Sequence, residues 1–417
     1  MDLTEFRNYV DEIAATPLDA LLRKASPPVR TALLKSLNRG ELTPEDGLLL
    51  YTSEGDDLRA LIKCADLARA EDCGDEVTYV VNRNINFTNV CFVNCQFCGF
   101  KRQKWESDAY NHPLENILAK VADAQARGAT EICMQGGINP EMPPLYYRDL
   151  LLGIKPAFPN IHIHAFSPME VMYGVRRSGM KYPAYVRMLK EAGLGSFPGT
   201  AAEILDDDVR EILSHKKVDV ATWVEIITTA HECGVPTTST IMYGHVEKPH
   251  HVVNHLTLLR DIQKRTHGFT EFVPLRFIHQ NTDLFRKGIV SSPPPKGLMD
   301  FRMYALSRLY LRGQIDNLQT SWVKLGLDFA GLTLKTGCND LSGTLMEESI
   351  TALAGGDAGE FIAVDQFEET ARAMGRIAVE RTTLYKKLYG KKAPNGARPI
   401  TASQGADNHA CGGSGCG

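Results

Sequence analysis

Thr78-Tyr79-Val80-Val81-Asn82-Arg83-Asn84-Ile85-Asn86-Phe87 runs directly into Thr88-Asn89-Val90-Cys91-Phe92-Val93-Asn94-Cys95-Gln96-Phe97-Cys98-Gly99-Phe100. The first half reads as a strand and the second as the loop that leaves it. Upstream, to about residue 75, leucines recur at helical spacing (Leu18, Leu21, Leu22; Leu33, Leu34, Leu37), and Thr43-Pro44-Glu45 is a helix start. Downstream, strand patterns return at 130–134, 161–165, 195–198, 237–243, 270–275, 317–321 and 338–341. Helical stretches lie between most of them, two closed by Gly128 and Gly193. Eight strands, most followed by a helix, predict an α/β fold of the TIM-type (β/α)8 barrel class, with an open doubly wound sheet as the competing arrangement. The expected organisation is a helical lead (1–75), a barrel core (76–345), a C-terminal helical extension (346–392) whose last helix covers 365–388, and a Gly-, Pro- and Ser-rich tail (393–417) expected to be disordered and dispensable.

Composition excludes several classes. Among 417 residues 43% are hydrophobic and 23% charged, as in ordinary globular proteins. Lys and Arg number 46 against 50 Asp and Glu, so no excess of cations exists to neutralise a nucleic acid. Apolar runs fall far short of the roughly 18 residues that span a bilayer. Asp2, Glu5, Asp11 and Glu12 are out of place in a targeting peptide, so a cytoplasmic location is expected.

Ten cysteines are too few for a secreted disulfide framework. Cys64, Cys73, Cys133, Cys233 and Cys338 are scattered and read as small buried hydrophobes. Cys91, Cys95 and Cys98 are clustered as C-x3-C-x2-C in a loop that a barrel would place on its active face. Structural zinc wants four closed ligands, and none follows at a typical spacing. Three close thiolates suit an iron–sulfur cluster with one iron left open, with zinc or plain reduced thiols as the alternatives. His409, Cys411 and Cys416 in the tail lack an evident fourth ligand. Along the first strand Asn82, Asn84 and Asn86 share one face, and buried amides need partners, which a polar lumen holding a ligand would supply. His162 and His164 alternate likewise with Ile161 and Ile163.

C-x3-C-x-F-C after a first barrel strand resembles the signature of radical S-adenosylmethionine enzymes. That resemblance implies a 4Fe–4S cluster on Cys91, Cys95 and Cys98, whose open iron chelates S-adenosylmethionine and cleaves it to an adenosyl radical. It implies cofactor contacts from Phe97, from the Gly136-Gly137 turn after the second strand, and from Glu203 after the fourth, with Met242-Tyr243-Gly244-His245 near the adenine. Thr200-x-x-Glu203 and Ser167-x-x-Glu170 also scan as capping boxes, which would make both glutamates structural.

Four further motifs resemble the tyrosine-cleaving FO synthase family. They are His164-Ala165-Phe166-Ser167-Pro168-Met169-Glu170-Val171, Pro198-Gly199-Thr200-Ala201-Ala202-Glu203-Ile204-Leu205-Asp206-Asp207, Thr240-Ile241-Met242-Tyr243-Gly244-His245-Val246-Glu247 and Gly343-Thr344-Leu345-Met346-Glu347-Glu348. The similarity spans about 42–389. It implies cleavage of the Cα–Cβ bond of L-tyrosine and transfer of the 4-hydroxybenzyl group to 5-amino-6-(D-ribitylamino)uracil, on the way to the deazaflavin of coenzyme F(420). A companion ring-closing subunit and an electron donor such as ferredoxin or flavodoxin are implied as partners. Asn82, Asn84, His164, Asn339, Asp340 and Glu347 are the candidate substrate contacts. The chain departs from the family pattern at Gly99, Cys338, Arg276 and the tail, and a charged Arg276 near the mouth bears on which acceptor is used. The alternatives are an aminofutalosine-synthase-like enzyme of menaquinone biosynthesis and a non-catalytic iron–sulfur or zinc protein.

Overall fold

A computed structural model describes residues 1–200, 202–293 and 295–389; the tail with His409, Cys411 and Cys416 lies outside the described residues. The strands are β1 (Glu76–Val80), β2 (Asn82–Ile85), β3 (Glu131–Met134), β4 (His162–Ala165), β5 (Thr237–Tyr243), β6 (Phe269–Arg276), β7 (Asp340–Gly343) and β8 (Ile377–Arg381). β2, β3 and β4 pair in parallel in that order. His164 then bridges Ser196, Phe197 bridges Thr237, and β5 pairs with β6. Phe272 bridges Leu318, Gln319 bridges Asp340, and β7 returns to β1. β1 and β2 are one strand path interrupted at Val81, so the ring closes. The fold is a barrel and not an open sheet. The segments expected at 195–198 and 317–321 occupy their places in the ring as short bridges.

The last element corrects the expectation of one helix over 365–388. The helix Val364–Ala373 stops, Gly375 takes φ +71°, and β8 follows. Gly375 is a left-handed helix stop, and Ile377-Ala378-Val379 then presents β-formers. β8 pairs in parallel with β1, from Glu76 against Ile377 to Val80 against Arg381, on the side where β2 higher up pairs with β3. The extension therefore returns into the barrel sheet.

That return delivers a cation to the barrel floor. Arg381 pairs with the carboxylate of Asp340 and lies 3.4 Å from Glu271, with its guanidinium 3.9 Å from the Tyr385 ring centroid. Thr78 Oγ1 donates to Asp340 at 2.6 Å, and the Tyr385 hydroxyl donates to Glu271. Burial pushes the Glu271 carboxyl up to about 7, against the pull of Arg381. Removing one partner of a buried ion pair leaves an uncompensated charge, so Arg381→Met is expected to cost about 3–5 kcal/mol in chemical denaturation.

The helices before β1 cover one flank. Phe6 from the helix Leu3–Ala15 meets Phe301 and Phe329 edge-on at 5.7 and 5.5 Å. Among the described residues no helix is long and apolar enough to cross a membrane.

Candidate metal and cofactor site

The loop after β2 folds back on itself and is tied at both ends. Asn89 Oδ1 accepts from the Tyr110 N–H at 2.7 Å and Asn89 Nδ2 donates to Asp108 O at 2.9 Å. The Cys91 N–H donates to Arg102 O at 3.0 Å, and the Arg102 N–H to Asn89 O at 2.8 Å. Asn94 turns the chain at φ +61°, which Asn tolerates better than most residues. Cys91, Cys95 and Cys98 are thereby presented to one cavity of about 250 Å³ at the C-terminal ends of the strands. Burial pushes the Cys95 thiol up to about 12 and raises Cys98, while Lys217 opposes the rise at Cys95. Metal ligation would displace those protons, which makes loading favour higher pH.

Gly136 and Gly137 follow β3 and line the cavity beside the cysteine loop. A Cβ on Gly136 would overlap the Phe87 ring, and one on Gly137 would overlap the Val90 carbonyl and stand 3.0 Å from Cys91 Cβ. The Gly137 N–H also donates to Thr88 O at 2.8 Å, so the turn is pressed onto the cysteine loop. Gly137→Ala must displace that loop. It is expected to fold and to retain clearly less iron after anaerobic reconstitution, read as iron per chain.

Glu170 is 1% exposed and lines the same cavity. Its Oε1 accepts from the Gly136 N–H at 3.1 Å, and its Oε2 from the Ser167 N–H and Oγ at 2.6 and 2.7 Å, completing the capping box expected for the helix Pro168–Ser178. Burial pushes its carboxyl up to about 7.

The second capping expectation is corrected. The next helix, Asp207–Ser214, is capped by Asp206, which accepts from the Val209 N–H at 3.1 Å. Glu203 stands outside it at φ +42°, with Oε1 2.6 Å from Lys217 Nζ and Oε2 3.4 Å from Arg210 Nη1. Lys217 Nζ lies 5.0 Å from the Phe97 ring centroid. Burial disfavours the Lys217 ammonium, but Glu203 and Cys95 outweigh that and hold its pKa above the ordinary lysine value. Gln135 Nε2 donates to Thr200 Oγ1 at 2.7 Å along the same wall.

The structure thus gathers Cys91, Cys95, Cys98, Phe97, Gly136, Gly137 and Glu203 around one cavity. It places the other sequence candidates elsewhere. Asn82 Nδ2 donates to Glu131 at 2.8 Å and its Oδ1 accepts from the Leu345 N–H at 3.0 Å. Asn84 Nδ2 donates to Glu348, and its Oδ1 is buried without a partner. His164 Nδ1 is 2.6 Å from Ser196 Oγ, and burial pushes its imidazole down to about 4. Asn339 accepts from Arg308 Nη2 at 2.7 Å and the Leu318 N–H at 2.8 Å. Asp340 belongs to the floor, and Glu347 pairs with Lys120 and with Arg83 at 2.8 Å. Arg276 does line the cavity, with its guanidinium 2.7 and 2.8 Å from the Asp300 carboxylate. Sequence reasoning missed Lys217 and Lys324, both in the cavity wall; beside Lys216, Lys217 reads as surface charge.

Three soft sulfur donors lining one cavity, with the Gly136-Gly137 turn packed against their loop, fit an iron–sulfur cluster. Among the described residues no three His, Cys, Asp or Glu converge closely enough for a single ion, whereas a cubane takes its ligands at separate corners.

Comparisons agree with this geometry. Residues 85–259 match the radical SAM superfamily and 266–391 the CofH/MqnC C-terminal region. The chain is 47% identical over 347 residues to the 5-amino-6-(D-ribitylamino)uracil–L-tyrosine 4-hydroxyphenyl transferase of Methanothermobacter thermautotrophicus, covering 83% of this chain and 94% of that one. It is 46% identical over 392 residues to the FO synthase of Mycobacterium tuberculosis, covering 93% of this chain but only 45% of that protein's length. Among solved structures, methylornithine synthase (PylB) superposes with TM-score 0.66 at 17% identity, covering 83% of this chain and 97% of that one. The hydrogenase maturase HydG of Carboxydothermus hydrogenoformans superposes with TM-score 0.67 at 15% identity, covering 92% and 86%. At those identities the structural likeness speaks for the fold alone.

Proposed function

The chain belongs to the 5-amino-6-(D-ribitylamino)uracil–L-tyrosine 4-hydroxyphenyl transferase family of radical SAM enzymes, and on that membership we propose that it cleaves the Cα–Cβ bond of L-tyrosine and transfers the 4-hydroxybenzyl group to 5-amino-6-(D-ribitylamino)uracil. The observation that carries this reading is the single cavity joining three cysteines of one loop to a glycine turn and a buried Glu203–Lys217 pair. A 4Fe–4S cluster with bound S-adenosylmethionine supplies one-electron cleavage of a sulfonium and hence a carbon radical able to take hydrogen from an amino acid. The protein's part is to hold and to exclude. Cys91, Cys95 and Cys98 would ligate three irons and leave the fourth open. The missing side chains of Gly136 and Gly137 let this turn pack on Phe87 and on the cysteine loop, so that its backbone would line the cofactor's place. Phe97 would stand beside the cluster and Glu203 near the adenosyl ribose, while Glu170 holds the Gly136 N–H and the Ser167 cap in place.

Asn84, with its unpartnered Oδ1, is the substrate candidate with spare hydrogen-bonding capacity; Asn82, His164, Asn339, Asp340 and Glu347, each held by protein partners, would act only through the barrel around it. A ring-closing companion enzyme and an electron donor are the partners this family reading implies, and the chain spans about 45% of the M. tuberculosis FO synthase. The cytoplasm is the compartment that keeps such thiolates reduced. A 47% identical transferase over nearly its whole length favours this reading over the menaquinone-pathway and non-catalytic alternatives. Anaerobically reconstituted protein given tyrosine, S-adenosylmethionine and the diaminouracil is expected to form 5′-deoxyadenosine and a benzylated uracil. Iron binding without S-adenosylmethionine cleavage would contradict it.

A further inference from the structure

Among the described residues four cations line the cavity: Lys101, Lys217, Arg276 and Lys324. The first three already have a carboxylate. Lys101 stands 2.6 Å from Asp283, Lys217 2.6 Å from Glu203, and Arg276 2.7 Å from Asp300. Lys324 differs. It lies on the short helix Trp322–Leu325, just past the bridge segment that carries Leu318 and Gln319, and it is half-buried. Its Nζ donates to a neutral group, Thr351 Oγ1, at 2.7 Å, and among the described residues no carboxylate reaches it within ion-pair distance. Thr351 Oγ1 donates onward to Glu348 at 2.9 Å, and Glu348 also accepts from the Thr351 N–H at 2.8 Å and from Asn84 Nδ2. Glu348 is thus one hydroxyl away and already served. An ammonium carries three N–H donors, so Lys324 keeps two for the cavity. Burial also pulls its pKa below the ordinary lysine value in spite of Glu348 and Cys98, whereas Glu203 and Cys95 hold Lys217 above it. A charge taken partly out of water without a counter-charge is costly, and an anionic ligand relieves that cost.

We infer that Lys324 is the anchor for the carboxylate of the substrate amino acid. The inference rests on the function proposed above, in which two carboxylates enter the cavity. That of S-adenosylmethionine would go to the open iron, and that of L-tyrosine still needs a cation. Lys324 offers the charge and the two donors that a carboxylate accepts, while Thr351 fixes the third. The anchored end is the one that stays with the two-carbon fragment, so the same contact would hold that fragment while the hydroxybenzyl group moves to the uracil.

The test is equilibrium binding to the anaerobically reconstituted full-length chain, with S-adenosylmethionine present and no reductant, so that nothing turns over. The probes are L-tyrosine and tyramine, which keeps the phenol and the amine but lacks the carboxylate. Lys324→Met removes the charge at similar length and strands no partner ion, so iron per chain is expected to stay at the wild-type value. The variant is expected to bind L-tyrosine about 10-fold to 100-fold more weakly, as for a lost hydrogen bond to a charged group, and to bind tyramine and S-adenosylmethionine as the wild type does. Unchanged affinity for L-tyrosine would overturn the inference. An equal fall for L-tyrosine and tyramine, or a loss of iron, would overturn it too, since Lys324 would then be supporting the wall. A fall for S-adenosylmethionine alone would overturn it by giving the ammonium to the other carboxylate. Wild-type protein that loads iron and binds S-adenosylmethionine but takes up no L-tyrosine would instead overturn the functional reading itself.

Discussion

Cys91→Ala, Cys95→Ala and Cys98→Ala are each expected to reduce 5′-deoxyadenosine formation by more than ~100-fold, given that losing even an outer partner of a metal ligand costs about 10–100-fold. Among the described residues the cavity offers no further thiol. Cys133, the next cysteine along the chain, lies on β3, paired with Asn84 and His164 and away from the loop. Stability should barely move, by about 1 kcal/mol, because each change removes one atom from a loop held by backbone hydrogen bonds and by Asn89. Iron content, 5′-deoxyadenosine yield and a denaturation midpoint together separate lost ligation from lost fold. Wild-type turnover in any one variant would remove that cysteine from the ligand set.

Replacing L-tyrosine with L-phenylalanine is expected to lower substrate-dependent 5′-deoxyadenosine formation by ~10⁴-fold, because a site built around a hydroxyl leaves its own polar group unpaired when the hydroxyl is missing. A merely apolar aromatic pocket would separate the two by about 10-fold to 200-fold. Equal rates would mean that the phenol is not read, and the tyrosine assignment would fall. Steady-state assays at saturating S-adenosylmethionine measure the ratio directly.

The barrel was legible because β-strand and helix alternate with little interruption from Val77, and even the weak segments at 196–197 and 318–319 keep their places in the ring. The cysteine loop was legible because its spacing is local. β8 was not: a helical pattern starting at Val364 runs on to the eye past Gly375, and only pairing with β1, some 300 residues earlier, makes the last segment a strand. Glu203 shows a different failure. Thr200-x-x-Glu203 satisfies a capping pattern, yet Asp206 three residues on caps the helix better, and Glu203 turns to Lys217 instead. The inward amides expose a third. Alternation puts Asn82 and Asn84 on one face, but spacing cannot say whether their partners are protein or ligand. Glu131 and the Leu345 N–H satisfy Asn82, while Asn84 keeps a free oxygen.

In the proposed reaction one cavity breaks tyrosine between Cα and Cβ and hands the larger piece to the uracil. Uniformly ¹³C-labelled L-tyrosine tests it most directly, with mass spectrometry of every product after anaerobic turnover. Seven labelled carbons are expected in the uracil adduct, two in the released two-carbon fragment, and neither product without S-adenosylmethionine. An adduct carrying all nine labelled carbons, or 5′-deoxyadenosine formed with no label reaching the uracil, would contradict it.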